Sequence, residues 1–132
     1  MSPRRILLIE DELALAQLLE RYLVRLGFEI DAESTAQGAL ARLTSPSSRY
    51  DLVVADMGLP DMPGEALLAR ILELQPQLPV LICSGSEFFV ESLPAELQPR
   101  VAFLQKPFLP KELVQKIEQM LAHGTGGAPA HE

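Results

Sequence analysis

Short, continuous apolar runs alternate along the chain with segments in which apolar residues recur at helical spacing. Four of these runs are typical of buried strands: Ile6 to Ile9, Leu52 to Ala55, Val80 to Cys83 and Val101 to Leu104. A weaker fifth run, Phe28 to Ala32, alternates apolar and acidic residues and predicts an edge strand. Continuous apolar strands separated by helices indicate a parallel sheet with both faces covered.

The segments between the strands predict amphipathic helices. The first helix ends at Gly27, which favours a left-handed cap, and a second helix is predicted from the capping residue Thr35 to Leu43. The apolar stripes of the first, third and last helices are Leu15, Leu19, Tyr22, Leu23 and Leu26; Leu67, Leu68, Ile71 and Leu74; and Leu113, Val114, Ile117, Met120 and Leu121.

The segment before the last strand is less regular. Pro94 and Pro99 cannot both lie inside one helix without breaking its hydrogen-bond ladder, so we expect a short or distorted helix there. The predicted order is five successive β-α units, which form an α/β sandwich with right-handed crossovers. In such sheets, ligands bind beyond the carboxyl ends of the strands.

Composition and charge narrow the classes of protein that fit. The 132 residues predict one domain over 1–122 and a flexible Gly/Ala/Pro-rich tail over 123–132. A net charge of -7 disfavours direct nucleic-acid binding, and no apolar stretch is long enough to cross a membrane, so we expect a cytoplasmic protein. The single cysteine, Cys83, excludes an internal disulfide and is expected to be a small buried hydrophobe.

Polar residues end the predicted core strands, where packing gives no reason for them. Glu10 and Asp11 follow the first strand, Asp56 the third and Ser84 the fourth, while Lys106 follows the fifth. If the sheet is parallel, these groups converge, and each pair of carboxylates at 4 Å repels by about 4 kcal/mol at an effective dielectric of 20. Either a shared proton or a bound cation must compensate.

The charge count favours a cation. Three carboxylates and one lysine leave a charge of minus two, which one divalent ion neutralises. Oxygen ligands suit Mg²⁺ or Mn²⁺ better than Zn²⁺. A carboxylate on a rigid strand end, such as that of Asp56, can form an acyl phosphate, with the metal and Lys106 stabilising the transferring phosphoryl group.

At these positions the sequence resembles the receiver domain family of two-component response regulators (CheY-like) over residues 4 to 122. The acidic pair stands in LLIEDE, the phosphoacceptor in LVVADMGLPDMPG, the hydroxyl residue in VLICSGS and the lysine in FLQKPF. Any one of these motifs is a weak signal, but all of them occur in order at predicted strand ends. The resemblance implies a flavodoxin-like (βα)5 sandwich with a parallel sheet in the order 2-1-3-4-5.

The resemblance also implies residue roles. Asp56 is expected to accept phosphate from a phosphohistidine, on a histidine kinase or a phosphotransfer protein, without dedicated enzymatic turnover. Asp11, Asp56 and the backbone carbonyl of Gly58 are expected to bind the metal directly, and Glu10 through a water. Three further residues complete the expected set, namely Lys106 on the phosphoryl group, Ser84 as a mobile hydrogen-bond donor and Phe103 at the aromatic switch position.

Two features depart from the family pattern or leave alternatives open. Phe103 lacks a hydroxyl, and an ordinary core aromatic explains it as well as a switch does. The irregular segment with Pro94 and Pro99 puts the usual receiver dimer contacts in doubt.

The resemblance also implies Lys106 to Pro107 as a cis peptide. The chain is expected to be either a stand-alone regulator or a module from a hybrid kinase or longer regulator, which signals to an unknown downstream protein.

Other functions fit the residues less well. A solvated acidic loop would explain the carboxylates alone, but not the whole set. An aspartate-nucleophile phosphatase needs a second acid two residues after Asp56, where Gly58 stands. A nucleotide- or flavin-binding domain would need a Walker loop or GxGxxG after the first strand, which the sequence lacks. A receiver that never takes phosphate would typically have lost the nucleophile, lysine or acid pair, and all are present.

Overall fold

The computed structural model describes residues 3–124. Within these residues, five strands and four α-helices follow one another along the chain. The strands are β1 (Arg5–Ile9), β2 (Glu29–Glu33), β3 (Leu52–Asp56), β4 (Val80–Ser84) and β5 (Val101–Gln105). The helices are α1 (Leu13–Arg25), α2 (Ala36–Thr44), α3 (Gly64–Leu74) and α4 (Pro110–Gly124).

All five strands are parallel and lie in the order β2-β1-β3-β4-β5, which confirms the predicted fold class. Alternate strand residues point to opposite faces, so each face carries its own apolar layer. One layer joins β1 residues Leu7 and Ile9 to α2 and α3, and the other joins Ile6 and Leu8 to α1 and α4. Helices therefore cover both faces, and the strand ends remain the accessible edges.

Local signals set the helix ends as predicted. Gly27 has a φ of 101°, and its N–H bonds to the carbonyl of Val24 at 3.0 Å, closing α1. The Thr35 hydroxyl caps α2 by accepting the N–H of Gly38 at 3.0 Å. The prediction for Leu26 is wrong, because this residue lies past the end of α1 and is 52% exposed.

The chain between β4 and β5 lacks an α-helix, which corrects the expectation of five β-α units. Two 3₁₀ turns, Val90–Ser92 and Gln98–Arg100, occupy it instead. The physical reason is the one predicted, since Pro99 lies within the second turn and a proline cannot donate to a longer ladder. The segment between Ser84 and Val101 therefore contains two short 3₁₀ turns in place of a helix, which is the irregularity that the prolines indicated.

Arg100 anchors this irregular segment to the neighbouring helix. Its guanidinium donates to the carbonyls of Leu72 at 3.3 Å and Leu78 at 3.0 Å, and also to that of Gln75. These carbonyls surround the end of α3, where backbone acceptors have no helical partner and a cation is favourable. Burial lowers the pKa of Arg100 from its ordinary value.

Two further expectations concern the chain end and the membrane. Helix α4 continues to Gly124, two residues beyond the predicted end of the domain at 122, and the remainder, 125–132, lies outside the described residues. Within residues 3–124 we find no helix with the length and apolar character needed to span a bilayer.

Candidate functional site

The carboxyl ends of β1 and β3 bring buried carboxylates together, as the sequence predicted. Glu10 directly follows β1 and is 5% exposed, and Asp56 is the last residue of β3 and is 8% exposed. Asp11, next to Glu10, is exposed. One carboxylate oxygen from each of the three lies within 4.8 Å of the others. We refer to Glu10, Asp11 and Asp56 as the strand-end acids.

Lys106 provides the positive charge beside these acids. Its Nζ donates to Oε1 of Glu10 at 2.9 Å and to Oδ1 of Asp56 at 3.3 Å. The backbone N–H of Lys106 bonds to the carbonyl of Ser84 at 2.8 Å, which fixes the start of the loop between β5 and α4 against β4. The peptide bond between Lys106 and Pro107 is cis, as the family resemblance implied.

The pKa values of Glu10 and Lys106 reflect burial together with the neighbouring charges. Burial raises the pKa of Glu10, and the charge of Asp56 adds to that effect, while hydrogen bonds from Lys106 and from the N–H of Glu12 oppose it. For Lys106, burial works to lower the pKa, but its bond to Glu10 and the charges of Glu10 and Asp56 outweigh burial and raise it. The lysine is therefore a permanent cation among three acids.

Oxygen ligands at this spacing fit a hard divalent ion. Three carboxylates and one ammonium leave a charge of minus two, and no histidine or thiolate belongs to the cluster. Mg²⁺ and Mn²⁺ prefer such oxygen donors and bind through a small number of carboxylates. Because Asp11 is exposed while Glu10 and Asp56 are buried, the cluster opens to solvent on one side.

The loop from Met57 to Pro63 leads from β3 to α3 and carries Gly58. It is fixed at its start, where the N–H of Met57 bonds to the carbonyl of Cys83 at 3.0 Å. A Cβ added to Gly64 would lie 2.6 Å from the carbonyl oxygen of Met57, so the loop closes only with glycine at that position. A Cβ at the exposed Gly58 would lie 3.9 Å from both carboxylate oxygens of Asp56, so Gly58 lies beside the acid.

Ser84 and Phe103 lie on β4 and β5. The hydroxyl of Ser84, at the end of β4, accepts the N–H of Ser86 at 3.1 Å, and the side chain is half-buried. Phe103 is also half-buried and contacts Phe88 with ring centroids 6.3 Å apart and a 47° angle between the rings.

Cys83 is buried as expected, and burial raises the pKa of its thiol to about 12.

Sequence reasoning missed one polar residue of the loop. The carboxylate of Asp61 accepts the N–H groups of Ala36 at 2.9 Å and Gln37 at 3.0 Å, at the first turn of α2. Hydrogen bonds from Ala36 and then Gln37 lower the pKa of Asp61. Ala36 and Gln37 lie 25 and 24 positions before Asp61 in the sequence. No local pattern connects residues that far apart, so only the tertiary fold reveals the contact.

Comparisons with curated proteins give a consistent family. A family model for the response regulator receiver domain matches residues 6–118. The DNA-binding transcriptional regulator NtrC of Azospirillum brasilense is 31% identical over 125 residues, and the sensor kinase CckA of Brucella abortus (strain 2308) is 30% identical over 118. These matches cover 95% and 88% of this chain but only 26% and 12% of the relatives.

Solved structures agree with this assignment. A CheY-like response regulator receiver domain protein from Methanospirillum hungatei JF-1 superposes with a TM-score of 0.80 at 28% identity, covering 91% of this chain and 94% of the other. The receiver domain of the hybrid histidine kinase CckA gives a TM-score of 0.74 at 29% identity, with coverages of 89% and 98%. On fold, strand-end chemistry and family match together, the chain belongs to the response regulator receiver domain family of two-component signalling systems.

Proposed function

We propose that this domain accepts a phosphoryl group on Asp56 from a phosphohistidine, in a reaction that depends on Mg²⁺ or Mn²⁺. The donor is a histidine kinase or a phosphotransfer protein. The observation that carries the proposal is the position of the Asp56 carboxylate, buried at a rigid strand end with Lys106 Nζ 3.3 Å away and two further acids beside it. Few structural roles need so much uncompensated charge.

The strand-end acids supply the donor set for the ion. In this proposal Asp11, Asp56 and the backbone carbonyl of Gly58 hold the metal, and Glu10 contacts it through water. The chemistry of the donors supports this, because all are oxygens and together they exceed the charge of Lys106 by two. When bound, a divalent ion supplies positive charge that offsets the negative charge of a phosphoryl group.

In the transfer itself, Asp56 and Lys106 have different roles. A carboxylate oxygen of Asp56 attacks phosphorus, an acyl phosphate bond forms, and the phosphorus–nitrogen bond to the donor histidine breaks, leaving its imidazole to take up a proton from solvent. Lys106 contacts the Asp56 carboxylate before the transfer. In this proposal it then contacts the phosphoryl oxygens, which carry the negative charge after the transfer. Preorganised cations of this kind are the main catalytic resource in phosphoryl transfer, so the domain assists its own modification without turning over a separate substrate.

Ser84 and Phe103 are proposed to transmit the change. The Ser84 hydroxyl, which now accepts the N–H of Ser86, keeps its own proton free to donate to a phosphoryl oxygen. Drawing Ser84 toward that group moves the following loop, which carries Phe88, the ring in contact with Phe103. A small movement at the site is thereby converted into a change of surface beside β5.

The signal is proposed to leave through protein contacts in the cytoplasm, where phosphohistidine donors are made. The relatives include both a DNA-binding transcriptional regulator and a sensor kinase, so the domain fits either a regulator or a receiver module of a hybrid kinase. An aspartate-nucleophile phosphatase is disfavoured, because Gly58 offers no side chain as the general acid two residues after Asp56.

The test is phosphorylation by acetyl phosphate with Mg²⁺, measured by intact mass. Wild type is expected to gain one phosphoryl group, and Asp56→Asn none. Asp51→Asn is the matched control, because Asp51 precedes the same strand at its opposite end and accepts the N–H of Arg5. Absence of labelling on wild type, or equal labelling of Asp56→Asn, would contradict the proposal, and so would full labelling in EDTA.

A further inference from the structure

Asp61 connects the middle of the β3–α3 loop to the start of α2. Its two carboxylate oxygens accept one N–H each, Oδ1 from Ala36 and Oδ2 from Gln37. The first N–H groups of a helix have no partner within it, and the helix dipole favours a negative charge at that end. The lowered pKa of Asp61 keeps the carboxylate ionised and both bonds in place at neutral pH.

Helix α2 has another cap besides Asp61. Thr35 already accepts the N–H of Gly38, and the N–H of Ala39 bonds to the Thr35 carbonyl at 3.1 Å. The element that gains most from the contact is therefore the loop. Asp61 is an exposed loop residue. Because both of its carboxylate oxygens are bonded to a helix that is distant in sequence, it restricts the loop backbone on either side of it.

The loop has separate attachments along its length. Met57 is bonded to β4, and Leu59 is 7% exposed within the core. Beyond Leu59 the side chain of Asp61 provides the next attachment, and Pro60 between them has a fixed φ. Gly58, which carries no side chain of its own to fix it, lies between the first two attachments and is exposed.

We propose that Asp61 is a positioning residue for the divalent ion, although it touches none of the strand-end acids. By tying the β3–α3 loop to α2, it holds Leu59 in the core, and Leu59 together with the bonded Met57 keeps the backbone of Gly58 beside Asp56, so that the Gly58 carbonyl is held where an ion would need it. The proposal rests on the function proposed above, because it assumes that the ion binds there. It adds a residue whose loss weakens ion binding while every ligand is retained.

The experiment compares Mn²⁺ affinity, measured by electron paramagnetic resonance of the free ion, in wild type and three variants. Asp61→Ala removes both bonds, and Asp61→Asn keeps one acceptor oxygen while removing the charge. Glu65→Gln is the matched control, since Glu65 is an exposed acid in the first turn of α3 and its change removes the same charge from the same region.

Asp61→Ala is expected to weaken Mn²⁺ binding by about tenfold, as much as the smaller losses found when a residue bonded directly to a metal ligand is removed. Asp61→Asn should fall between it and wild type, and Glu65→Gln should match wild type. Hydrogen exchange of the metal-free protein should show faster exchange at Ala36, Gln37 and the loop in Asp61→Ala, with the strands unchanged.

The outcomes separate the two proposals. If wild type binds Mn²⁺ and Asp61→Ala binds it equally well, the positioning role of Asp61 is wrong and the proposed function stands. An equal loss in Glu65→Gln overturns the positioning role too, because the effect is then one of net charge. If wild type binds no Mn²⁺, the metal-dependent function fails, and the role of Asp61 fails with it.

Discussion

Two clusters of carboxylates can be compared among the described residues, one beside the edge strand β2 and one beyond the carboxyl ends of β1 and β3. Beside β2, Asp31 accepts hydrogen bonds from Tyr50 and from Arg5, both at 2.7 Å, and lies 3.5 Å from Arg42. Glu33 pairs with the same Arg42. We call these five residues the β2 network. Its two acids face two guanidiniums and a phenol, and even with the exposed Glu29, which lies 3.6 Å from Arg5, its negative charge is more completely compensated than that of the strand-end acids.

The strand-end acids differ in this respect. Three carboxylates share Lys106 as the cation that bonds to two of them. The contrast is visible in the pKa directions. The Tyr50 hydrogen bond, with help from Arg42 and Arg5, lowers the pKa of Asp31 against the effect of burial, whereas burial raises the pKa of Glu10 despite its bond to Lys106.

A balanced cluster and an unbalanced one have different uses. In the β2 network the charges serve to join β1, β2, α2 and the chain before β3, since each partner comes from a different part of the fold. At the strand ends the acids repel, which costs stability unless a cation arrives. The number of acids in a cluster is therefore less informative than how completely their charge is compensated.

The largest expected effect comes from removing the cation of the unbalanced cluster. Lys106→Met should slow phosphorylation by acetyl phosphate about 100-fold, the typical cost of losing one preorganised group that stabilises transition-state charge. The initial rate of mass increase measures this. Lys111→Met, an exposed lysine in the first turn of α4, is the control and should behave as wild type. A rate for Lys106→Met within a few-fold of wild type would count against its role.

The next effect tests the balanced cluster. Asp31→Ala leaves Arg5, Arg42 and Tyr50 without their common acceptor and should lower the free energy of unfolding by about 2–3 kcal/mol, as expected for lost hydrogen bonds to a charged group. Urea denaturation measures it. Glu29→Ala, which removes an exposed carboxylate 3.6 Å from Arg5, should cost less than about 0.5 kcal/mol. Equal losses for the two variants would remove the distinction.

A matched pair of neutral variants compares the clusters directly. Glu10→Gln should stabilise the metal-free protein and Glu33→Gln should destabilise it, each by about 1 kcal/mol, the common size of a single-residue effect. The signs differ because the ionised form of Glu10 is disfavoured by burial and by Asp56, while Glu33 is paired with Arg42. Urea unfolding in EDTA gives both values. The same sign for both variants would contradict the comparison.

The smallest expected effect is on how the free energy of unfolding changes with pH in acid. The folded-state pKa of Asp31 is lowered, so its contribution is full above the unfolded pKa of about 3.9 and is lost as pH falls through the lower folded value. Asp31→Asn removes that contribution, and its free energy of unfolding should therefore fall less steeply with decreasing pH than that of wild type. Parallel curves below pH 4 or so would show that Asp31 is not the group responsible.

Sequence reasoning worked where local patterns determine the structure. Apolar runs located all five strands, and the polar residues that end them located the strand-end acids, because parallel strands end at a common edge. It could not show the β2 network or the Asp61 contact, since their partners are distant in sequence and carry no periodic signal. For the β4–β5 segment, Pro94 and Pro99 predicted irregularity, but the anchoring by Arg100 is a tertiary effect.

The claim that the strand-end acids need a divalent ion is tested most directly by the free energy of unfolding with and without Mg²⁺. At an ion concentration about 100 times Kd, binding to the folded state should add about 2.7 kcal/mol to wild type. Asp11→Asn, which lacks one acid, should gain clearly less. The account is contradicted if Mg²⁺ leaves wild-type stability unchanged, or if Asp11→Asn gains as much as wild type.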